Sequence, residues 1–233
     1  MGRRKLEKRH TKRYRLVGGV LRESFKKEVI EDPKHIDAKL LDQLLKLGVR
    51  TFGPGMTEEE VREHVVKNDV LFVLYDSNMV AIAFAGLTRA KDNKTGTMLN
   101  GAYLSGAVVA AEAQGFGLYK ELAKLRIRYS IEKFGLKSGA EITTRTQNPR
   151  IEEGINAALK YGISTIECSV LLSSMSREYR RALFGRMLTK EVPRSNSDRI
   201  NRAYSELNYA SGDAYLLTFT ITLDYPQVFE GRF

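Results

Sequence analysis

The chain has a single cysteine, Cys168, in 233 residues, so no intrachain disulfide can form. A reducing, cytoplasmic setting is the expectation that follows. No apolar run approaches the roughly 20 residues of a membrane helix; the longest, 81–87, has the length of a strand. The charged start carries no apolar segment of the export-signal kind, so neither export nor a membrane role is expected. The three histidines, His10, His35 and His64, share no metal-ligand spacing with each other or with Cys168, and no metal site is expected. Cys168, flanked by Ile166, Val170 and Leu171, reads as a small buried residue rather than a nucleophile. No internal repeat or low-complexity tract appears.

What is present is an ordinary globular composition, 42% apolar and 28% charged, enough for one well-filled core. The charge is placed unevenly. Residues 1–16 carry eight lysines and arginines against Glu7, a surplus of seven, while the whole chain is +10. The other 217 residues therefore hold only +3. This divides the chain into a basic arm, 1–25, and a domain, 26–233. The arm is either an attractant for phosphates and acidic surfaces or a solvated leader.

Leu40, Leu41, Leu44, Leu45 and Leu47 form one apolar face of a helix over 36–48, with Gly48 as its stop. Thr57 and Glu60 have the spacing of a capping box that opens a second helix. Three strands follow, Val70–Tyr75, Met79–Leu87 and Met98–Val109, joined by short turn-forming clusters that favour an antiparallel meander. The period then changes. Leu118, Leu122, Leu125 and Tyr129 mark a helix; Glu141–Thr146 reads as a strand, and Arg150–Tyr161 as another helix. This order implies a parallel crossover in an otherwise antiparallel sheet, an α/β (α+β, mixed-sheet) fold. Ser164–Leu172 and Tyr215–Leu223 are two further strands. Between them, Ser176–Leu188 reads as a basic helix with Arg177, Arg180, Arg181 and Arg186. Residues 173–212 together look like an insertion over the core.

The chemistry concentrates at Glu112-Ala113-Gln114-Gly115-Phe116-Gly117-Leu118, where an apolar strand runs through two glycines into an amphipathic helix. A helix start has unpaired N–H groups and partial positive charge, and glycines let backbone approach an oxygen closely. This stretch resembles the Arg/Gln-x-x-Gly-x-Gly/Ala loop of the GNAT superfamily of N-acetyltransferases, with Glu112 in place of the usual Arg or Gln. The element order from about Ile36 to Tyr161 matches that superfamily, as does Asn148 after the fifth strand, followed by a helix ending at Tyr161-Gly162. The resemblance implies a split between the fourth and fifth strands that admits acetyl-CoA. The amides of Gln114, Gly115, Phe116, Gly117 and Leu118 would hold its diphosphate. The backbone of Ala107, Val108 and Val109 would pair with its pantetheine, and Asn148 would touch it. The alternative for Val108 and Val109 is core packing, and for Asn148 a turn before Pro149.

The activity the resemblance implies is direct transfer of an acyl group from acetyl-CoA to a primary amine. The family often places a base on the fourth strand, yet Met98–Val109 contains no Asp or Glu. The family's acidic tyrosine would fall at Ala158; nearby Tyr161 is the catalytic candidate, with Tyr103 and Glu141 as weaker ones. A second reading keeps the fold but gives the work to the basic arm and arginines, as a nucleic-acid-associated protein. The acceptor could be a small molecule, a protein or a nucleic acid, and a homodimer stays open.

Overall fold

Val70–Tyr75 is a run of six apolar residues with no polar alternation, and all six are buried. Such a strand has to be covered on both faces. In the computed structural model, which describes residues 25–52, 56–160, 162–165, 167–189 and 191–225, helices lie on both faces of one eight-stranded sheet. The strands are β1 (Lys26–Glu31), β2 (Val70–Tyr75), β3 (Ala81–Lys91), β4 (Met98–Val109), β5 (Ala140–Thr146), β6 (Ile163–Ser164), β7 (Ser169–Arg180) and β8 (Ala214–Asp224). Their spatial order is β1-β2-β3-β4-β5-β8-β7-β6. Only β4 and β5 run parallel; every other neighbouring pair is antiparallel. The meander, the parallel crossover and the mixed sheet are therefore present as expected.

Two helices, α1 (Ala38–Phe52) and α2 (Glu58–Val66), pack together on one face; α3 (Leu118–Glu132) and α4 (Pro149–Lys160) lie on the other, with short α5 (Asp198–Tyr204) against α4. The capping box is formed: Thr57 Oγ1 accepts from Glu60 N at 3.2 Å, and Glu60 Oε2 accepts from Thr57 N at 2.8 Å. Gly48 does not stop α1 but sits inside it. A β-carbon there would come within 2.5 Å of a Val61 methyl group, so the glycine serves the close crossing of α1 and α2.

Two expectations about local structure change. Ser176–Leu188 is not a helix. Its first half continues β7, which pairs with β8 without a break in direction from Ser169↔Asp224 to Arg180↔Ala214. Long-range pairing overrides a spacing that mimics a helix, because Arg177 is drawn to Glu152, a fully buried carboxylate on α4. Its Nε donates to Glu152 Oε2 at 2.7 Å. The other change is β1, which the sequence hides under four charged residues; it is an exposed edge strand held to β2, and the Tyr75 hydroxyl donates to its Glu28 at 2.5 Å. Cys168 is buried, as read from its neighbours.

Candidate active site

The centre of the sheet is built around an irregularity in β4. Ala85 pairs with Ala107 and Leu87 with Leu104, so Ser105 and Gly106 together oppose the single residue Gly86. This is a β-bulge, which bends the strand and interrupts the ladder. Gly86 is required there: a β-carbon would fall 2.3 Å from the buried side chain of Asn68, which closes the end of α2 by donating to Val65 O. From the opposite face, fully buried Arg126 of α3 steadies the bulge. Its Nη1 donates to Ser105 O at 3.1 Å and to Gly86 O at 3.3 Å, and its Nε to Leu122 O at 3.2 Å. Arg126 Nη2 is buried without a hydrogen-bond partner among the described residues, and the guanidinium carbon lies 5.8 Å from the centroid of the Tyr119 ring.

Just before the bulge, after Tyr103, β4 leaves β5. The two strands pair only from Gly101↔Glu141 to Tyr103↔Thr143. Gly101 permits the tight end of the V, since a β-carbon would sit 2.9 Å from Glu141 O. At the fork the Thr144 hydroxyl donates to Leu104 O at 2.8 Å, a side chain standing in for the next rung. From Leu104 to Val109, β4 pairs with β3 alone, and this open length contains Ala107, Val108 and Val109.

The open strand leads to the glycine turn. Gly115 (φ 85°) and Gly117 (φ 77°) both occupy the left-handed region, where side-chain-bearing residues are strained. A β-carbon at either position would meet nothing within 4 Å, so both face open space. No side chain caps the start of α3. A helix start without a side-chain cap and flanked by open space is suited to an anion. Gln114 is turned back, donating from Nε2 to Val109 O at 3.2 Å. Glu112 pairs with Arg50 of α1 at 2.9 Å, which offsets the charge it would set beside such an anion.

On the α2 face of the bulge lies a cavity of about 450 Å³. Its walls come from α2, from Tyr103 and Ser105 on β4, from Arg145 on β5, and from the loop bearing Leu183, Phe184, Arg186 and Leu188. That loop is clasped in place. Gln147, buried after β5, donates to Arg186 O and Asp213 O at 3.1 Å each and accepts from Leu188 N at 2.9 Å. Gly212 closes the clasp, because a β-carbon there would be 2.3 Å from Arg186 N. Within the cavity His64 faces the bulge: a β-carbon on Gly106 would lie 3.6 Å from its Nδ1. Burial, with the nearby Arg145 charge second, holds the His64 imidazole below the usual histidine value, although Glu60 and Glu63 act in the other direction. A neutral imidazole at ordinary pH is able to accept a proton. Glu60 is held ionised, below the usual carboxylate range, by its bonds from Arg186 and from the Thr57 amide.

No model of a known protein family matches the chain, and no curated protein does. Solved structures do. The ribosomal-protein-S18-alanine N-acetyltransferase from Escherichia coli aligns over 88% of this chain and 99% of its own, with a TM-score of 0.50 at 12% identity. The chain has the GNAT fold. A spermidine N-acetyltransferase variant from Vibrio cholerae aligns over 84% of this chain and 93% of its own, with a TM-score of 0.47 at 14% identity. A GNAT family N-acetyltransferase from Escherichia coli, solved with CoA, aligns over 57% and 68%, with a TM-score of 0.43 at 15% identity.

Within this GNAT fold the residues singled out from the sequence fall into two groups. Ala107, Val108, Val109, Gln114, Gly115, Phe116, Gly117 and Leu118 form one continuous path along the open length of β4 and into α3. Asn148 heads α4, its Oδ1 accepting from Arg150 N at 3.0 Å. Tyr161 lies outside the described residues, as do residues 1–24 of the 1–25 arm. Of the four arginines read as a basic helix, three are matched by carboxylates: Arg177 by Glu152, Arg180 by Glu178 and Arg186 by Glu60. The sequence offers Tyr103 only as a weaker candidate, weighs His64 only as a metal ligand, and does not single out Arg145 or Ser105. His64 had one available signal, its place on the buried side of a helix whose cap is unmistakable.

Proposed function

We propose that the chain is an acyl-CoA-dependent N-acyltransferase that moves an acetyl group directly to a primary amine. The observation that carries this is the parting of β4 from β5 beside a helix mouth stripped of side chains by Gly115 and Gly117. An open strand edge suits an amide-bearing arm, and the helix mouth suits a diphosphate. The amides of Gly115, Phe116, Gly117 and Leu118 would take the diphosphate, the Gln114 amide being spent on Ala111 O at 3.3 Å, and the backbone of Ala107, Val108 and Val109 would take the pantetheine. Asn148, whose Nδ2 engages no described residue, offers one more donor on that side.

Acetyl-CoA would supply a thioester acyl group, so that an amide C–N bond forms, the C–S bond breaks and one proton passes from nitrogen to sulfur. The protein's share is orientation and proton handling. Ser105 and Gly106 place backbone at the junction between the strand opening and the cavity, and His64 faces that junction as the base that receives the amine proton. Holding both reactants across the bulge supplies the larger part of such a catalyst's advantage. A base of this kind contributes about 10²- to 10⁴-fold.

Thermal denaturation with acetyl-CoA tests the reading. Saturation at about 100 times Kd stabilises a protein by about 2.7 kcal/mol. Gly115→Leu is expected to remove the shift, whereas Gly135→Leu, the same strain at φ 69° beyond the other end of α3, is expected to keep it. If acetyl-CoA produces no shift with the unaltered chain, the reading falls.

A further inference from the structure

The ionisable groups around the cavity sort into closed pairs and one remainder. Glu60 is engaged by Arg186, and Glu63 by Lys67 at 2.8 Å. Both carboxylates of the lining are thus already matched by cations of the same wall. His64 brings no charge in its neutral form. What remains is Arg145. Its Nε donates to the Tyr103 hydroxyl at 2.8 Å, and its guanidinium carbon stands 5.3 Å from the centroid of that ring. Its two terminal nitrogens make no hydrogen bond or ion pair to a described residue, and none of the described carboxylates lies within 4.0 Å of it. Tyr103 accepts from Arg145, which leaves its own O–H proton to be given elsewhere.

The cavity therefore presents an unmatched guanidinium fork and a phenol donor on one side, and a neutral base on another. A guanidinium fork matches a carboxylate in shape as well as in charge. A polyamine would need unmatched carboxylates, and this wall has none to offer. The volume, about 450 Å³, is that of a site for a small molecule. We propose that the amine acceptor is an amino acid or a similarly small carboxylated amine, with Arg145 and Tyr103 receiving its carboxylate while its amino group faces His64. This rests on the acyl-transfer reading of the same cavity and adds the acceptor's chemical class to it.

The test has two arms on the full chain. In the first, acetyl transfer is measured to glycine, alanine, serine and glutamate, each beside its α-carboxamide, with putrescine as the dication. The acids are expected to exceed their amides by about 10- to 100-fold in kcat/KM, the scale of a charged hydrogen-bonded pair. Arg145→Gln is expected to erase that preference by raising KM for the acids, while KM for acetyl-CoA and for the amides moves less than about threefold. Arg145→Lys, which keeps the charge but loses the fork, is expected to fall between. A preference for putrescine, or an acid preference that survives Arg145→Gln, overturns the proposal and leaves acyl transfer standing.

In the second arm, N-acetylglutamate and its α-amide are titrated calorimetrically into the unaltered protein and into Arg145→Gln. Tighter binding of the acid, lost in Arg145→Gln, supports the carboxylate site whether or not turnover is seen. Equal binding of acid and amide by the unaltered protein overturns it. If acetyl-CoA fails to bind while the acid still does, the acyl-transfer reading is what falls.

Discussion

The two sides of the β4 bulge are made of different material. On the α3 side the site is backbone: an open strand edge, two left-handed glycines and the first turn of a helix. On the α2 side it is side chains, His64, Tyr103, Arg145 and Arg186, drawn from four separated stretches of the chain. On the proposed reading, the backbone site would recognise what every acyl-CoA has in common, whereas the side-chain site would carry the choice of acceptor. The difference teaches that one interrupted strand can separate a surface of backbone atoms, suited to an invariant partner, from one of side chains, suited to a variable partner.

The sharpest way to break that division is Gly115→Leu. It is expected to weaken acetyl-CoA at least 100-fold in a direct binding titration, with little change in the cavity across the strand. Of comparable size is His64→Gln, expected to lower kcat/KM by about 10²- to 10⁴-fold with the acetyl-CoA Kd unchanged. Its signature is in pH. Burial holds the folded His64 below the ordinary histidine value of 6.5, so the acid limb of kcat/KM should fall below that pH and disappear in His64→Gln. The sign for stability follows from the same shift. The unfolded chain takes up this proton first as pH drops below 6.5, so stability present above that pH is lost beneath it. Urea unfolding at pH 7.5 and 5.5 should show a larger loss in the unaltered chain than in His64→Gln.

Gly212→Ala sharpens the comparison from the acceptor side. The left-handed backbone and the 2.3 Å approach to Arg186 N would displace the 183–188 loop, at a cost of about 2–3 kcal/mol. The expected readout is a raised acceptor KM with acetyl-CoA affinity intact. Arg126→Met strips donors from Ser105 O and Gly86 O, expected to cost about 1–3 kcal/mol in chemical denaturation. The smallest effect belongs to Thr57→Ala, about 1 kcal/mol, because it opens a cap at the surface.

The same division explains what could be read from the sequence. Backbone features leave local traces: the Gly115-Phe116-Gly117 turn, the change of period at Leu118 and the strand order are each written in a short window. Thr57 and Glu60 declare a helix start for the same reason. The acceptor cavity leaves no such trace, since His64 meets Gly106 and Arg145 meets Tyr103 only after the sheet has formed. Arg177 and Arg180 show the converse error. Three apart, they look like one face of a helix, and only Glu152, 25 residues earlier in sequence from Arg177, reveals the strand that holds them. The bulge at Ser105 and Gly106 leaves no local trace for a related reason: Arg126, which holds Ser105 O, is 21 positions away, and Asn68 packs against Gly86 on the neighbouring strand.

Cys168, the sole sulfhydryl of the chain and 5% exposed, has a practical consequence. A chromogenic thiol reagent added to the native protein meets one shielded sulfur, so its colour would report coenzyme released by turnover against a low background. The same sulfur answers quickly only once the surrounding packing has opened. One reagent thus distinguishes a working catalyst from a collapsing one.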